Sequence, residues 1–436
     1  MPMILRLIAA ILSALPFMQT SSGLTSDERS LGTFIDAHNH EALALLERVV
    51  NINSGTQNFE GVREVGRAFH AELDALGFKT QWVDGAPFKR AGHLVADHPG
   101  AGPRILLIGH LDTVFEKDSP FQKFERVDER TARGPGVIDM KGGDVVMIGA
   151  LKALQAAGIL KRMNVVVVMT GDEEDSGDPL SAARDALVAA AKGADLAIGF
   201  EDGPGDPKLA VTARRGTTGW EVRVEGTPAH SSQIFRDDIG YGAVYEMARI
   251  LNGFREKMAG EPHLTFNPGV MLGGTTVDFD PVQLRGSAFG KTNVIAEHAV
   301  VSGDLRALSR EQFEKAKQTM TEIVGASLPH TSATIRFDEG YPPMAPTEEN
   351  ARLLAMYDQA SRDLGFGAVT AVSPDRAGAA DVSFVAGEVK MIIDGVGLMG
   401  HDDHTVKETA DLTTLPSQTK RMAVFLHRIV TGGGVK

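Results

Sequence analysis

Four short runs are apolar on nearly every residue: "ILLI" at 105–108, "VVVVM" at 165–169, "LAIGF" at 196–200 and, with a single lysine, "VKMIID" at 389–394. A strand with one wet face alternates apolar and polar residues. Runs without that alternation are buried on both faces, as in a parallel sheet covered by helices. Helical stretches lie between them, at Asp144–Ala157 and Ser181–Lys192. Upstream, Val62, Val65, Phe69, Leu73 and Leu76 recur at spacings of three and four, which predicts an amphipathic helix ending at Gly77. "HLVAD" at 93–97 reads as a further strand and "HPGAGP" after it as a turn. The fold class is therefore α/β, with a mostly parallel central sheet covered by helices.

From Ala213 to about Glu339 the texture changes. "GWEVRVEG" alternates, Tyr241–Lys257 reads as a helix, and "LTFNPGVMLGG" and "NVIAEHAVVSGDLRAL" read as strands. "REQFEKAKQTMTEIVGA" then reads as a helix and "SATIRFDEG" as a strand. This β-α-β-β-α-β order is the split ferredoxin-like arrangement. A chain of 436 residues exceeds what one core comfortably holds. The expected organisation is a main domain in two parts, residues 24–212 and 340–436, interrupted by an inserted α+β domain at 213–339. "RRGTT" at 214–218 reads as the hinge between them.

Residues 1–23 differ from the rest. One arginine is followed by an almost wholly apolar run, Leu7–Phe17, and then by small polar residues. The run is short for a bilayer span, which needs about 20 residues, and it fits a secretory signal, so a secreted or periplasmic location with no stable membrane span is expected. A net charge of −13 and the lack of a basic stripe argue against nucleic acid. The chain has no cysteine, which excludes disulfides and thiolate metal sites.

Acids and histidines follow each buried run. His110 and Asp112 come after the first, Asp172, Glu173 and Glu174 after the second, Glu201 and Asp202 after the third, and "HDDHTVKE" after the last. Asp139 sits between glycines in "RGPGVIDMKGG". Ligands of open α/β sheets bind outside the carboxyl ends of the strands, so these segments should meet at one rim. So many acids in one place call for counter-charge, and two divalent cations would supply it. Histidine and carboxylate without thiolate suit zinc, or alternatively cobalt or manganese. Residues i and i+2 of an extended segment share a side. His110 can thus ligate a metal while Asp112 takes the other imidazole N–H.

In order and strand context, "GHLDTV", "GPGVIDMKGG", "DEEDSG", "GFEDG", "GTPAHSS", "GDLRAL" and "HTVKETADL" resemble the di-zinc carboxypeptidase and aminoacylase family, which includes bacterial glutamate carboxypeptidase and succinyl-diaminopimelate desuccinylase. The resemblance runs from about Thr33 to the C-terminus. It implies a zinc-exopeptidase-like main domain and an insert that serves dimerisation. His110 and Glu201 would hold one metal, Glu174 and His404 the other, and Asp139 would bridge them. His404 is preferred to His401 because "HTVKE" matches the family's His-Ser/Thr…Glu pattern. Glu173 would be the catalytic acid/base, Asp112 the partner of His110, and His230 the oxyanion donor, often in the neighbouring subunit's site. Arg306 and Asn293 would contact the substrate. A cis peptide is expected at Asp139–Met140. The chain departs from the family's common Asn-Val-Ile-Pro with Ala296. Glu201, where aminopeptidase members usually carry aspartate, favours the carboxypeptidase or deacylase branch.

The expected function is a zinc-dependent metallo-exopeptidase, a homodimer through the insert, that cleaves an amide next to a free carboxylate. That amide joins a C-terminal amino acid such as glutamate to a peptide, a folate-like molecule or an acyl group. Alternatives are an N-acyl amino acid deacylase, a desuccinylase-like amidohydrolase and a non-catalytic binding relative.

Overall fold

The computed structural model describes residues 23–432. The export-signal segment, apart from Gly23, therefore lies outside the described residues. The main domain opens with α1 (Ser26–Val50) and α2 (Phe59–Ala75). Thr25 starts α1 with a reciprocal cap: its hydroxyl accepts the Glu28 N–H, and the Glu28 carboxylate accepts the Thr25 N–H. The predicted stripe of α2, Val62, Val65, Phe69 and Leu73, is buried, and the chain turns at Gly77 with φ +87°.

Next come β1 (Lys79–Asp84), β2 (Gly92–His98), β3 (Arg104–His110), α3 (Lys141–Ala156), β4 (Asn164–Thr170), α4 (Leu180–Ala191) and β5 (Leu196–Gly199). The inserted unit contributes β6 (Gly216–Gly226), α5 (Gly242–Met258), β7 (Thr265–Gly274), β8 (His298–Ala307), α6 (Arg310–Gly325) and β9 (Thr331–Phe337). The main domain then ends with α7 (Glu348–Asp363), β10 (Met391–Ile393) and α8 (Thr414–Gly432).

The central sheet has the order β1-β2-β4-β3-β5-β10. Pairings from β4 through β10 are parallel, while β1 and β2 add antiparallel at the edge. Alternate residues of each apolar run enter different cores. Ile105, Leu107, Val165, Val167, Leu196 and Ile198 pack with residues of α1, α3 and α8. Leu106, Ile108, Val166, Val168 and Ala197 pack with Leu187, Val382 and Val385 on the other side. Both faces are covered, which is why the runs do not alternate. Burial of each such Val, Leu or Ile is worth roughly 1.5–3 kcal/mol relative to its exposed state. His110 pairs with Thr170 and Ile108 with Gly199, so β3, β4 and β5 end together and release their polar sequels at one rim.

The insert is a second sheet, β7-β8-β6-β9, antiparallel throughout, with a core that includes Trp220, Met247, Phe254, Leu305, Phe313 and Met320. This is the strand order of a ferredoxin-like unit. A hairpin of Thr276–Asp280 with Arg285–Phe289, which the sequence reading did not anticipate, extends the β7–β8 connection. The two chain crossings lie side by side, with Arg214 bridged to Met344 and Thr217 to Tyr341.

Candidate metal centre

His110, the last residue of β3, is buried, and its Nε2 lies 3.0 Å from Asp139 Oδ1 and 3.5 Å from Glu201 Oε1. The other Asp139 oxygen lies 2.9 Å from His404 Nε2, which is itself 3.1 Å from Glu174 Oε2. Five side chains thus form a row, Glu201, His110, Asp139, His404 and Glu174, with the central carboxylate offering one oxygen to each imidazole. Glu173 groups with His110 and Glu201, and Asp403, which sequence reasoning did not select, groups with Asp139 and His404. His401 is exposed on a two-residue strand, Gly400–His401, and is not among the clustered groups.

Asp112 is fully buried, but its geometry differs in detail from the expectation. His110 Nδ1 lies 3.1 Å from the Asp112 main-chain oxygen and 3.5 Å from its carboxylate. The carboxylate instead accepts the Thr56 hydroxyl at 2.6 Å and the N–H groups of Glu173 and Glu174, each at 3.1 Å. It therefore fixes the loop after β4. A second buried carboxylate, Glu408 of "HTVKE", accepts the N–H groups of Gly136 and Ile138 at 2.9 Å and of Asp139 at 3.3 Å. The sequence reading quoted Glu408 within its motif without giving it this task. The Asp139–Met140 peptide is cis.

Arg214, read from sequence only as part of a hinge, is buried beside the centre. It donates to Asp394 Oδ2 at 2.8 Å and to the Gly378 carbonyl at 2.7 Å. Asp394 Oδ1 in turn accepts the Glu201 N–H at 3.4 Å. Arg214 also lines the cleft above the row, together with Asp202, Arg376 and Asp403.

The remaining predicted site residues lie on the insert, outside the row. His230 is exposed; its Nδ1 accepts the Ser232 N–H at 3.3 Å and faces the Ser232 hydroxyl at 2.9 Å. A neutral ring therefore carries its proton on Nε2. Asn293 is exposed nearby, its carbonyl accepting the Ser231 N–H at 2.9 Å. Around the Ala296 departure, the Ile295 N–H reaches the Ala229 carbonyl and the Gly226 N–H reaches the Glu297 carbonyl, so this turn is held by main-chain bonds. Arg306 Nε pairs with Asp304 at 2.9 Å on β8.

Residues 106–428 match the model of peptidase family M20/M25/M40. The chain belongs to this family. Among curated relatives of this M20 hydrolase, carboxypeptidase G2 of Pseudomonas sp. (strain RS-16) is 27% identical over 398 residues, 89% of each chain. Succinyl-diaminopimelate desuccinylase of Gluconacetobacter diazotrophicus is 25% identical over 377 residues, 83% of this chain and 90% of the relative. Among solved structures, the Bacillus subtilis YXEP protein, described as a dinuclear metal binding peptidase from the M20 family, superposes with a TM-score of 0.61 at 16% identity, covering 91% of this chain and 99% of that one. The family reached through the motifs and the family reached by whole-chain comparison are the same.

The electrostatics of the M20 centre reflect its crowding. Burial, reinforced by Asp139, pushes the Glu174 carboxyl up to about 7. Burial also raises Glu201 to about 8, with His110 opposing and Asp139 reinforcing the shift. Burial drives Glu173 well above the usual carboxylate range, with repulsion from Glu201 adding to it. Asp139 goes the other way, because hydrogen bonds from His110 and His404 outweigh its burial. His404, bonded to Asp139 and Glu174, rises to about 11.

These residues fit a pair of divalent cations. Glu174 Oε1 is buried without a hydrogen-bond partner, although it points out of a carboxylate whose other oxygen is engaged. The donors are imidazole and carboxylate in a chain without thiolate, a set that suits zinc, cobalt or manganese.

Proposed function

We propose that this M20 hydrolase is a two-zinc exopeptidase of the carboxypeptidase type, cleaving an amide whose amine side carries a free carboxylate. The observation that supports it most is the row of five donors centred on Asp139, with Glu173 beside it. Among the described residues Glu173 ion-pairs with neither imidazole, whereas Glu174 and Glu201 do. His110, Glu201 and Asp139 would hold one cation, and His404, Glu174 and Asp139 the other. When bound, such a pair supplies Lewis acidity toward a water and the scissile carbonyl.

Glu173 takes the proton of the attacking water and passes it to the amine nitrogen as the C–N bond breaks. Burial raises this carboxyl, so it holds a proton more readily than a solvated glutamate does. His230 donates its Nε2 proton in a hydrogen bond to the oxygen that becomes negative. Arg306 and Asn293 receive the substrate's carboxylate and main chain. The protein works as a homodimer through the insert and is exported on its N-terminal segment. The sequence likeness to a desuccinylase over most of the chain supports a second reading, removal of a dicarboxylic acyl group from an amino acid by the same residues.

The test is a metal-loaded enzyme assayed on N-acyl glutamates, folate-like amides and succinylated amino acids. Chelation abolishes turnover and added zinc restores it. Glu173→Gln keeps its metal content and melting behaviour but loses about 10²–10⁴-fold in kcat. Substantial activity in that variant, or in chelated protein, rejects the mechanism, while preference for succinylated amines selects the second reading.

A further inference from the structure

Behind the centre lies a buried polar network that the mechanism above does not use. Arg184 of α4 is buried and donates from Nη1 to Asp172 Oδ1 at 2.7 Å, and its Nε lies 2.8 Å from Asp381 Oδ1. Nη2 donates to the Asp172 carbonyl at 3.1 Å, to Ser176 Oγ at 3.1 Å and to Tyr341 Oη at 2.9 Å. Asp381 is fixed from its other oxygen by the Thr170 hydroxyl at 2.6 Å. Since Arg184 spends a donor on Tyr341 Oη, the phenolic proton must point elsewhere. It goes to the main-chain carbonyl of Glu173, 2.8 Å away. The Tyr341 ring packs edge-on against Phe384 with centroids 4.7 Å apart, which fixes the direction of the hydroxyl.

Glu173 is therefore held at both ends of its main chain. Asp112 accepts its N–H and Tyr341 donates to its C=O. The two clamps come from different parts of the molecule. Asp112 follows the central strand β3, whereas Tyr341 lies on the segment returning from the insert, where its own carbonyl accepts the Thr217 N–H at 2.9 Å across the paired crossings. Pro342 and Pro343 follow it and restrict the backbone there. A side chain aimed at a reacting atom tolerates little error, because a displacement of about 1 Å can cost on the order of 10²-fold in rate.

We propose that Tyr341 is a positioning residue for Glu173, its hydroxyl fixing the catalytic glutamate's carbonyl and tying that glutamate to the junction with the inserted domain. This rests on the reading of Glu173 as the acid/base. Tyr341→Phe removes one hydroxyl and leaves the ring against Phe384. The expected result is a kcat lower by about 10- to 100-fold, with KM within about 3-fold of wild type and unchanged metal content and melting temperature. Ser176→Ala is the matched control, since Ser176 Oγ lies 3.1 Å from the same phenol and, among the described residues, makes no hydrogen bond to Glu173; its kcat stays near wild type.

Glu173→Gln is measured alongside. If it is inactive while Tyr341→Phe keeps wild-type kcat, the positioning role is overturned and the acid/base reading stands. If Ser176→Ala loses as much as Tyr341→Phe, the effect is general loosening of the network and the proposal again fails. If Glu173→Gln is active, the acid/base reading falls and takes this proposal with it.

Discussion

Asp112, Glu408 and Asp394 all spend buried carboxylates on main-chain amides. They hold, respectively, the loop of Glu173 and Glu174, the loop of Asp139, and the start of Glu201. The three candidate carboxylate ligands, Glu174, Asp139 and Glu201, thus each sit on a segment with its own anionic anchor. His93 illustrates the opposite fate for a titratable residue. Its Nδ1 accepts the Gly171 N–H at 3.2 Å and its Nε2 donates to the Ala183 carbonyl at 2.8 Å, with the ring stacked on Phe88. The neutral tautomer satisfies both partners; burial, with Arg184 adding to it, lowers the imidazole to about 4. The unfolded chain therefore takes up this proton first as pH falls. The stabilising contribution is complete above about 6.5 and declines by roughly 1.4 kcal/mol per pH unit until about pH 4. Urea unfolding of wild type and His93→Gln across that range should show the stability gap between them narrowing on acidification; a constant gap removes this account.

At the scale of elements, the glycines of "DMKGG" serve close packing more than turning. A Cβ on Gly143, within α3, would lie 1.8 Å from the carbonyl oxygen of Phe200. Phe200 immediately precedes Glu201, and α3 begins two residues after Asp139. The approach of helix to strand end is therefore part of what brings these two acids together. Gly143→Ala forces the backbones apart and should cost about 1–3 kcal/mol or more of stability, with weaker metal retention. Thermal melts combined with metal analysis after dialysis check both effects, and a variant as stable and as well loaded as wild type contradicts the packing argument.

At the scale of the whole molecule, the role proposed for His230 requires an exposed residue of the insert to reach a site built on the main domain. Val244 and Tyr245 of α5, Met271 of β7 and Phe289 of the added hairpin are exposed, and β7 is an edge strand. Exposed apolar groups beside an open edge are a liability in a monomer, which supports the proposed dimer through this domain. Sedimentation should give a dimer. Mixing inactive His230→Ala with inactive Glu173→Gln should restore up to about a quarter of wild-type activity, because half the dimers would be mixed and each mixed dimer has one complete site. No recovery after proven subunit exchange means that His230 does not act across the interface.

The amino-acid order alone determined the doubly covered sheet, the ferredoxin-like insert and the family, since these depend on burial periodicity and on local strings such as "DEEDSG" and "HTVKETADL". It also nominated the residues that form the row. The strand Lys79–Asp84 and the hairpin after β7 went unread because an edge strand and an exposed hairpin carry little apolar pattern. The capping signal Thr25-x-x-Glu28 was present in the sequence and passed over. Only the tertiary structure decided that Asp112 faces two amides more closely than the imidazole, that Glu408 and Asp394 anchor ligand loops, and that Tyr341, bonded to Arg184, reaches Glu173. Those contacts join residues far apart in sequence, up to 272 positions in the case of Gly136 and Glu408. A hydrogen bond depends on distance and direction in space, and no local spacing along a chain encodes either.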